Sequence, residues 1–334
     1  MSNAVTTKRV ILRERPEGAP GPEHFIFDEV ELPELPPDHL LIQVSHLSID
    51  AFIRTTIGGG SIHGQVELDN PVVVLGVGQV MASSSPGFAK GDWVTGPTMA
   101  QTHTQLPAAM FRKVELGNQS PSIHLGVLGM TTGLTAHVGM HKVGRVQPGD
   151  EVVVSGAAGA VGTVACQLAK RAGARVIGIA GGAEKCAWLM DEIGVDAVVD
   201  YKAGDVAEQL DEQASNGIDL YFDNVGGEIL DLVLDRIRPK ARVVICGAIS
   251  QYDDLDAVRG PSLYLRLAER SASMLGFRID HHMEDFPAVE ADLIDAMNEG
   301  LSLPEHTETG IEAFPTALNL LFTGGHRGKL LVAL

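Results

Sequence analysis

The spacing of apolar and polar positions changes character once along the chain. Over roughly the first 120 residues no helical period is sustained. Short runs of β type (KRVILR, LLIQVSHLSI, PVVVLGVGQVMA, GDWVTGP) alternate with Pro- and Gly-rich breaks (PEGAPGPE, LPELPP, SSSPGFAKGD). Strands this short and this often interrupted predict a β-rich, barrel-like domain. From about residue 150 the pattern becomes regular. EVVVS, ARVIGIA, DAVVD, IDLYFDNV, ARVVICGA and ASMLGFRI read as strands. Between and after them, AVGTVACQLAKRAG, AEKCAWLMDEIG, GDVAEQLDEQASNG, GEILDLVLDRIRPK and AVEADLIDAMNEG read as helices. Strands alternating with helices of about 10–15 residues predict βαβ units and a doubly wound parallel sheet. After about residue 300 the strand-like ending KLLVAL is expected to rejoin the first domain. The predicted division is 1–123 with 300–334 for the β-rich domain, and 124–299 for the α/β domain.

Composition narrows this picture. A chain of 334 residues suits two domains. With 45% apolar residues, 20% charged residues and 38 glycines it reads as a compact α/β protein with many tight turns. A formal net charge of -18 argues against nucleic acid or an anionic membrane surface as partner. The three cysteines, Cys166, Cys186 and Cys246, form no CxxC pair and no zinc-site spacing. The N-terminal stretch shows no apolar signal core, and no run approaches a membrane span. A cytoplasmic protein is expected.

The first chemical signal is a glycine turn. EVVVS runs into GAAGAVG and then a helix, so Gly156, Gly159 and Gly162 fall three apart between strand and helix. Read as a dinucleotide fingerprint, the series is Ala157, Gly159, Gly162, with Ala in the first place. Gly159 lets backbone approach a pyrophosphate, Gly162 lets the helix lie close to the strand, and the helix N-terminus offers N–H groups and partial positive charge. The alternative is a turn that only packs tightly. At the end of the second strand, GIAGGAEK carries no Asp or Glu to meet a ribose 2′-hydroxyl and to repel a 2′-phosphate. Lys185 follows one turn into the helix and can supply an ammonium. The pair of observations points to NADP(H), against the plain reading of Lys185 as a surface lysine.

A β-rich half followed by such a sheet resembles the medium-chain dehydrogenase/reductase superfamily, with a GroES-like domain before a Rossmann domain. The zinc-dependent members hold their metal with Cys, His and Glu. Here SHLSIDAFIRTTIGG has no Cys, LGVGQV stands where Gly-His-Glu is expected, and no four-cysteine lobe exists. Among the twelve histidines, His24, His46, His63 and His103 show no H-x₃-H pairing. The order IDAFIR, GMTTGLTAH, SGAAGAVG, FDNVGG, CGAISQY and GFRID is similar to that of the zinc-free, NADPH-dependent alkenal/one oxidoreductases, over nearly the whole chain. That family is also known as the prostaglandin reductases or leukotriene B4 dehydrogenases, and it includes plant double-bond reductases and bacterial curcumin reductases.

The resemblance implies reduction of the carbon–carbon double bond of α,β-unsaturated ketones and aldehydes by hydride transfer to the β-carbon. It implies that Ala158, Gly159, Ala160 and Val161 hold the pyrophosphate, and that Lys185 and Tyr201 meet the 2′-phosphate. Asn224 would contact the ribose region, and Cys246, Gly247, Ala248, Ile249 and Ser250 would lie along the cofactor. Phe277 and Ile279 would offer main-chain groups to the nicotinamide amide, and His326 would reach the cofactor from near the C-terminus. Tyr252 would donate to the enolate oxygen. Plainer readings stand beside these: Tyr201 caps a strand, Asn224 holds a turn, Cys246 is a small buried hydrophobe and Tyr252 is a solvent-facing loop residue. Departures from the family pattern are Phe52 for Tyr, Thr132 for Pro and His326 for Asn, all around the expected pocket. The resemblance also implies a homodimer and a small hydrophobic enone or enal as partner. Asp253 to Ser271 is expected to form a mobile flap, and the cleft to lie between the domains at the carboxyl ends of the strands. The alternatives are an NADPH:quinone reductase and a non-catalytic NADPH-binding protein.

Overall fold

The computed structural model describes residues 4–59 and 63–334, so the first three residues of the stretch read for a signal peptide lie outside it. The chain divides into two compact units, one of residues 1–126, 253–256 and 305–334, the other of residues 127–252 and 257–304.

The first unit is β-rich. Its strands are β1 (Thr6–Leu12), β2 (Phe25–Glu31), β3 (His39–Ser48), β4 (Leu75–Ser83), β5 (Trp93–Pro97), β6 (His103–Pro107) and β7 (Arg112–Val114), with β14 (Glu305–Thr309) and β15 (Lys329–Ala333) from the chain's end. β1 and β2 pair as a hairpin, and the rest form one sheet in the order β14-β15-β3-β4-β5-β7, with β6 also on β3. The last strand pairs antiparallel with β3, Leu331 facing Ser48. It also pairs parallel with β14. Two short helices break the β pattern, α1 (Phe52–Ile57) and α9 (Phe314–Thr323). Val10, Leu12, Leu47, Ile53, Ile57, Phe314 and Leu318 share a fully or almost fully buried core there. Lys329 is also buried, its Nζ donating to Asp50 Oδ1 at 2.7 Å.

The second unit is α/β. Its strands are β8 (Glu151–Ser155), β9 (Arg175–Ala180), β10 (Ala197–Asp200), β11 (Ile218–Asp223), β12 (Ile237–Ile245) and β13 (Ser273–Gly276). They form a wholly parallel sheet in the order β10-β9-β8-β11-β12-β13. This is the 3-2-1-4-5-6 order of a Rossmann sheet, whose switch point lies between β8 and β11. Central strands of such a sheet are covered on both faces and so read as unbroken apolar runs. All five residues of β8 are buried. The crossovers are α3 (Ala160–Arg171), α4 (Ala183–Trp188), α5 (Val206–Gln213), α6 (Gly227–Leu234) and α7 (Leu265–Glu269), and α8 (Phe286–Asn298) follows β13. In α3, Val164 and Leu168 are fully buried, each side chain contributing about 1.5–3 kcal/mol of burial.

The structure departs from expectation in several places, the first being that IRPK, read as the end of a helix, opens β12 instead, the helix before it stopping at Leu234. The sixth strand is only SMLG, so Phe277 and Ile279 lie beyond it. Residues 130–143 are helical, with a three-residue α2 (Thr135–His137) between two wider π segments. That stretch lies so close to β11 that a Cβ on Gly139 would sit 2.6 Å from the Phe222 ring and 2.9 Å from that of Phe277. The segment 253–271, expected to form a flap, makes fixed contacts at several points. Asp253 O accepts from Arg54, Ser262 and Leu263 donate to Asp231, and α7 follows. No helix among the described residues is long and apolar enough to cross a membrane.

Candidate functional site

The carboxyl ends of β8 and β11 meet over one buried carboxylate. Asp223 is fully buried, and its Oδ1 accepts four hydrogen bonds: from Ser155 Oγ at 2.9 Å, Tyr221 Oη at 2.8 Å, and the N–H groups of Val225 and Gly226 at 2.9 Å each. Its Oδ2 is buried with no partner. Asn224 closes the same junction, its N–H donating to Ser155 Oγ and its Nδ2 to Ser155 O at 2.7 Å. Tyr221, buried beside Asp223, has its phenol pKa pushed upward, by burial first and by the carboxylate second.

The glycine turn stands on this junction. Gly156 has φ +59, a backbone conformation that favours glycine. Gly162 is obligatory, because a Cβ there would lie 2.2 Å from Gly156 O. Gly159 is the N-cap of α3, without a side-chain cap bond. A Cβ on Gly159 would meet only Gly156 O, at 3.2 Å, so the space it faces is otherwise open. Its N–H already donates to Gly156 O at 2.9 Å, so Gly159 brings openness rather than a donor. Ala160 and Val161 open the helix, and Ala158 is buried just before it.

The chain after β12 is laid across the same junction. The N–H groups of Cys246 and Gly247 donate to Asp223 O, that of Ile249 to Asn224 O, and both N–H and Oγ of Ser250 to Val225 O. At its end the Tyr252 ring folds back, and its hydroxyl accepts from Ala248 N–H at 3.1 Å. No acceptor for the Tyr252 proton occurs among the described residues. Burial first, then nearby Cys246 and Asp223, raise its pKa, opposed by the Ala248 bond. The Cys246 thiol is pushed up to about 12, again by burial first, so it stays protonated and is no nucleophile.

At the end of β9, the Tyr201 ring lies directly over Gly181, where a Cβ would come within 2.4 Å of it. Tyr201 is half exposed, and Lys185 lies in the short helix that follows. An acid is absent from β9, but Asp200 at the end of β10 stands beside it. Its Oδ1 accepts from Gly182 N–H at 2.7 Å and from Lys202 N–H at 2.9 Å. The neighbourhood therefore does contain a carboxylate, taken up by two backbone donors. Phe277 is half-buried, edge-on to His282, and Ile279 begins a 3₁₀ turn. His326 belongs to the β-rich unit, is 8% exposed, and donates from Nδ1 to Leu320 O.

Sequence reasoning missed Ser155, Tyr221 and Asp223 as the support of this site. It also missed Arg54, which is 1% exposed and donates to Pro16 O, Gly18 O and Asp253 O, the residue after Tyr252. Polar residues ending an otherwise apolar strand, Tyr221 and Asp223 in YFDN, were the available signal for two of the first group. For Arg54 the signal was an arginine inside the apolar IDAFIR.

Comparison with known proteins fits this architecture. Residues 160–296 match a family model described as zinc-binding dehydrogenase, and residues 8–114 one described as N-terminal domain of oxidoreductase. The NADPH-dependent curcumin reductase of Escherichia coli is 32% identical over 97% of this chain and 96% of its own. The NADP⁺-dependent 2-alkenal reductase of Nicotiana tabacum is 32% identical over 99% and 98%. The crystal structure of CurA from Vibrio vulnificus in complex with NADPH superposes with a TM-score of 0.91 at 35% identity, covering 98% of both chains.

A GroES-like β-rich unit with a Rossmann unit defines a medium-chain dehydrogenase/reductase. Within that class the chain belongs to the alkenal/one oxidoreductase family, which includes the curcumin and prostaglandin reductases. A zinc held through cysteine, as in the zinc-dependent members, does not fit the residues present. Two of the three cysteines are buried, Cys246 is half-buried, and none stands in a ligand cluster among the described residues.

Proposed function

We propose that this chain is an NADPH-dependent reductase of the carbon–carbon double bond of α,β-unsaturated ketones and aldehydes, with Tyr252 hydrogen-bonding the substrate's carbonyl oxygen. When bound, NADPH supplies the hydride for the electrophilic β-carbon. As that bond forms, negative charge grows on the carbonyl oxygen, and a donor fixed beforehand stabilises it without reorganising. The observation that carries the reading is the folded-back Tyr252. Its hydroxyl accepts from Ala248, which leaves its own proton to give, and burial keeps the phenol protonated at neutral pH.

The cofactor fits the open side of Gly159 and the uncapped first turn of α3. Ala158, Ala160 and Val161 are assigned to the pyrophosphate by their amides and Gly159 by its openness. Lys185 and Tyr201 are assigned to the 2′-phosphate, with the Asp200 charge spread onto two backbone donors. Asn224 keeps its side-chain oxygen for the ribose, since its Nδ2 is held by Ser155. Cys246, Gly247, Ala248, Ile249 and Ser250 would flank the cofactor, Phe277 and Ile279 would present main-chain groups to its amide, and His326 would act with one nitrogen committed to Leu320.

The test follows NADPH consumption with a simple aliphatic enone, with NADH in a parallel cell. Turnover with NADPH and little with NADH is expected. Equal use of NADH would remove the phosphate role of Lys185 and Tyr201, and tight NADPH binding without turnover would overturn the reductase reading. The proposal extends to a homodimer through β13, which ends the parallel sheet with one open edge, a template for pairing. Sedimentation velocity giving a monomer at micromolar concentration would exclude it.

A further inference from the structure

One side-chain cluster has no part in the site above. His137 and His141 lie four residues apart in the helical stretch 130–143, and helical spacing brings their rings onto one face. The ring centroids are 4.7 Å apart. Asp292 of α8 meets them, its Oδ2 accepting from His137 Nε2 at 2.8 Å. One nitrogen or carboxylate oxygen from each of the three residues lies within 4.8 Å of the others. His141 Nε2 is buried with no hydrogen-bond partner, and so is His137 Nδ1. Buried polar atoms are almost always paired, so the orphaned His141 nitrogen, beside two other ligand-type groups, requires an explanation.

We propose that His137, His141 and Asp292 bind one divalent transition-metal ion of the zinc, cobalt or nickel kind. Ligands about 2.0–2.1 Å from a tetrahedral ion stand roughly 3.3 Å apart, so the His137–Asp292 pair needs to open by only a few tenths of an ångström. The ion replaces the proton now shared by that pair and gives the orphaned His141 nitrogen its partner. Two imidazoles and one carboxylate favour such ions over magnesium or calcium, which prefer all-oxygen shells. Arg171 is the opposing charge, and its place is outside the ligand set. It donates to Asp292 Oδ1 at 2.9 Å and to Glu299, leaving Oδ2 for the ion and orienting the carboxylate. Lys142, the next nearest cation, is paired with Asp285. The site fastens the π-wound helix to α8, and it is independent of the reaction proposed above.

The test is calorimetric titration of Zn²⁺ into full-length protein freed of any polyhistidine tag, with Co²⁺ absorption as a second readout. One ion per chain is expected, with a tetrahedral Co²⁺ spectrum and a zinc-dependent rise in Tm. His141→Leu and, separately, Asp292→Asn should weaken binding at least tenfold and abolish the Tm rise. Asp292→Asn keeps the shape of the site and carries the test if the leucine variant misfolds. No saturable binding, or binding unchanged in a folded variant, would overturn the proposal and leave the cluster as a His137–Asp292–Arg171 hydrogen-bond chain.

Discussion

Each unit buries a carboxylate, and the two solve the same problem differently. Asp50 in the β-rich unit faces the ammonium of Lys329, and Ser48 Oγ donates to its other oxygen at 2.5 Å. Asp223 in the α/β unit has no such cation, and four neutral donors converge on one of its oxygens. The ion pair joins residues 279 positions apart and ties the last strand to the segment just after β3, which makes it a weld. The second arrangement shapes backbone. It draws in the N–H groups of the turn after β11, on whose carbonyls the loop ending in Tyr252 is hung. A buried acid can thus serve assembly or serve the geometry of a site, and its partners tell which.

The comparison can be broken most severely at Asp223. Asp223→Ala strips four donors of their acceptor, and at about 1–3 kcal/mol for each buried group left unpaired the loss should be on the order of 5 kcal/mol. A urea midpoint implying less than about 2 kcal/mol would mean that those donors find other partners. At the weld, Lys329→Met strands the Asp50 charge and should cost about 3–5 kcal/mol, with Asp50→Asn in the same chain recovering part of it. No recovery would sink the ion-pair account. The loop supported by Asp223 is expected to carry function where the weld does not. Tyr252→Phe should lower kcat/KM for an enone about 100-fold, the scale of one lost oxyanion donor, and cost only about 1 kcal/mol of stability for the Ala248 N–H left without its acceptor. Lys185→Ala should raise KM for NADPH about tenfold while leaving KM for NADH alone, as loss of one point charge on a phosphate predicts. The smallest effect concerns pH. Burial lowers the pKa of His46, His103 and His124 in the β-rich unit. Unfolded histidines titrate near 6.5, so below that pH the unfolded chain takes up protons that the folded chain refuses. Stability should be full above this value and fall as pH drops through it. Urea midpoints that are flat across this range, or a slope unaltered by His124→Gln, would contradict that.

Much of the fold was legible because its determinants are local. The first strands of the parallel sheet, EVVVS and RVIGIA, are apolar runs with glycine close by, and the three-residue spacing of Gly156, Gly159 and Gly162 marks the turn without reference to anything distant. The supports of the site were less legible because their partners are far apart in sequence. Ser155 and Asp223 are 68 residues apart, and neither residue announces the other. Asp200 escaped notice because it comes from the neighbouring strand, and only the pairing of β10 with β9 brings it to Gly182. The helix at 130–143 was hidden by its π winding, which spoils the 3.6-residue period. His137 and His141 were passed over with it.

The placement of β15 between β3 and β14 has a consequence for biosynthesis. A ribosome making about 5–20 residues per second needs roughly 10–40 seconds to get from the end of the N-terminal segment to Lys329. Throughout that interval β3 waits with the edge that β15 will cover still open. The α/β unit, whose residues are all made by Pro304, has its full complement first, so the β-rich unit, begun earlier, is the one completed later.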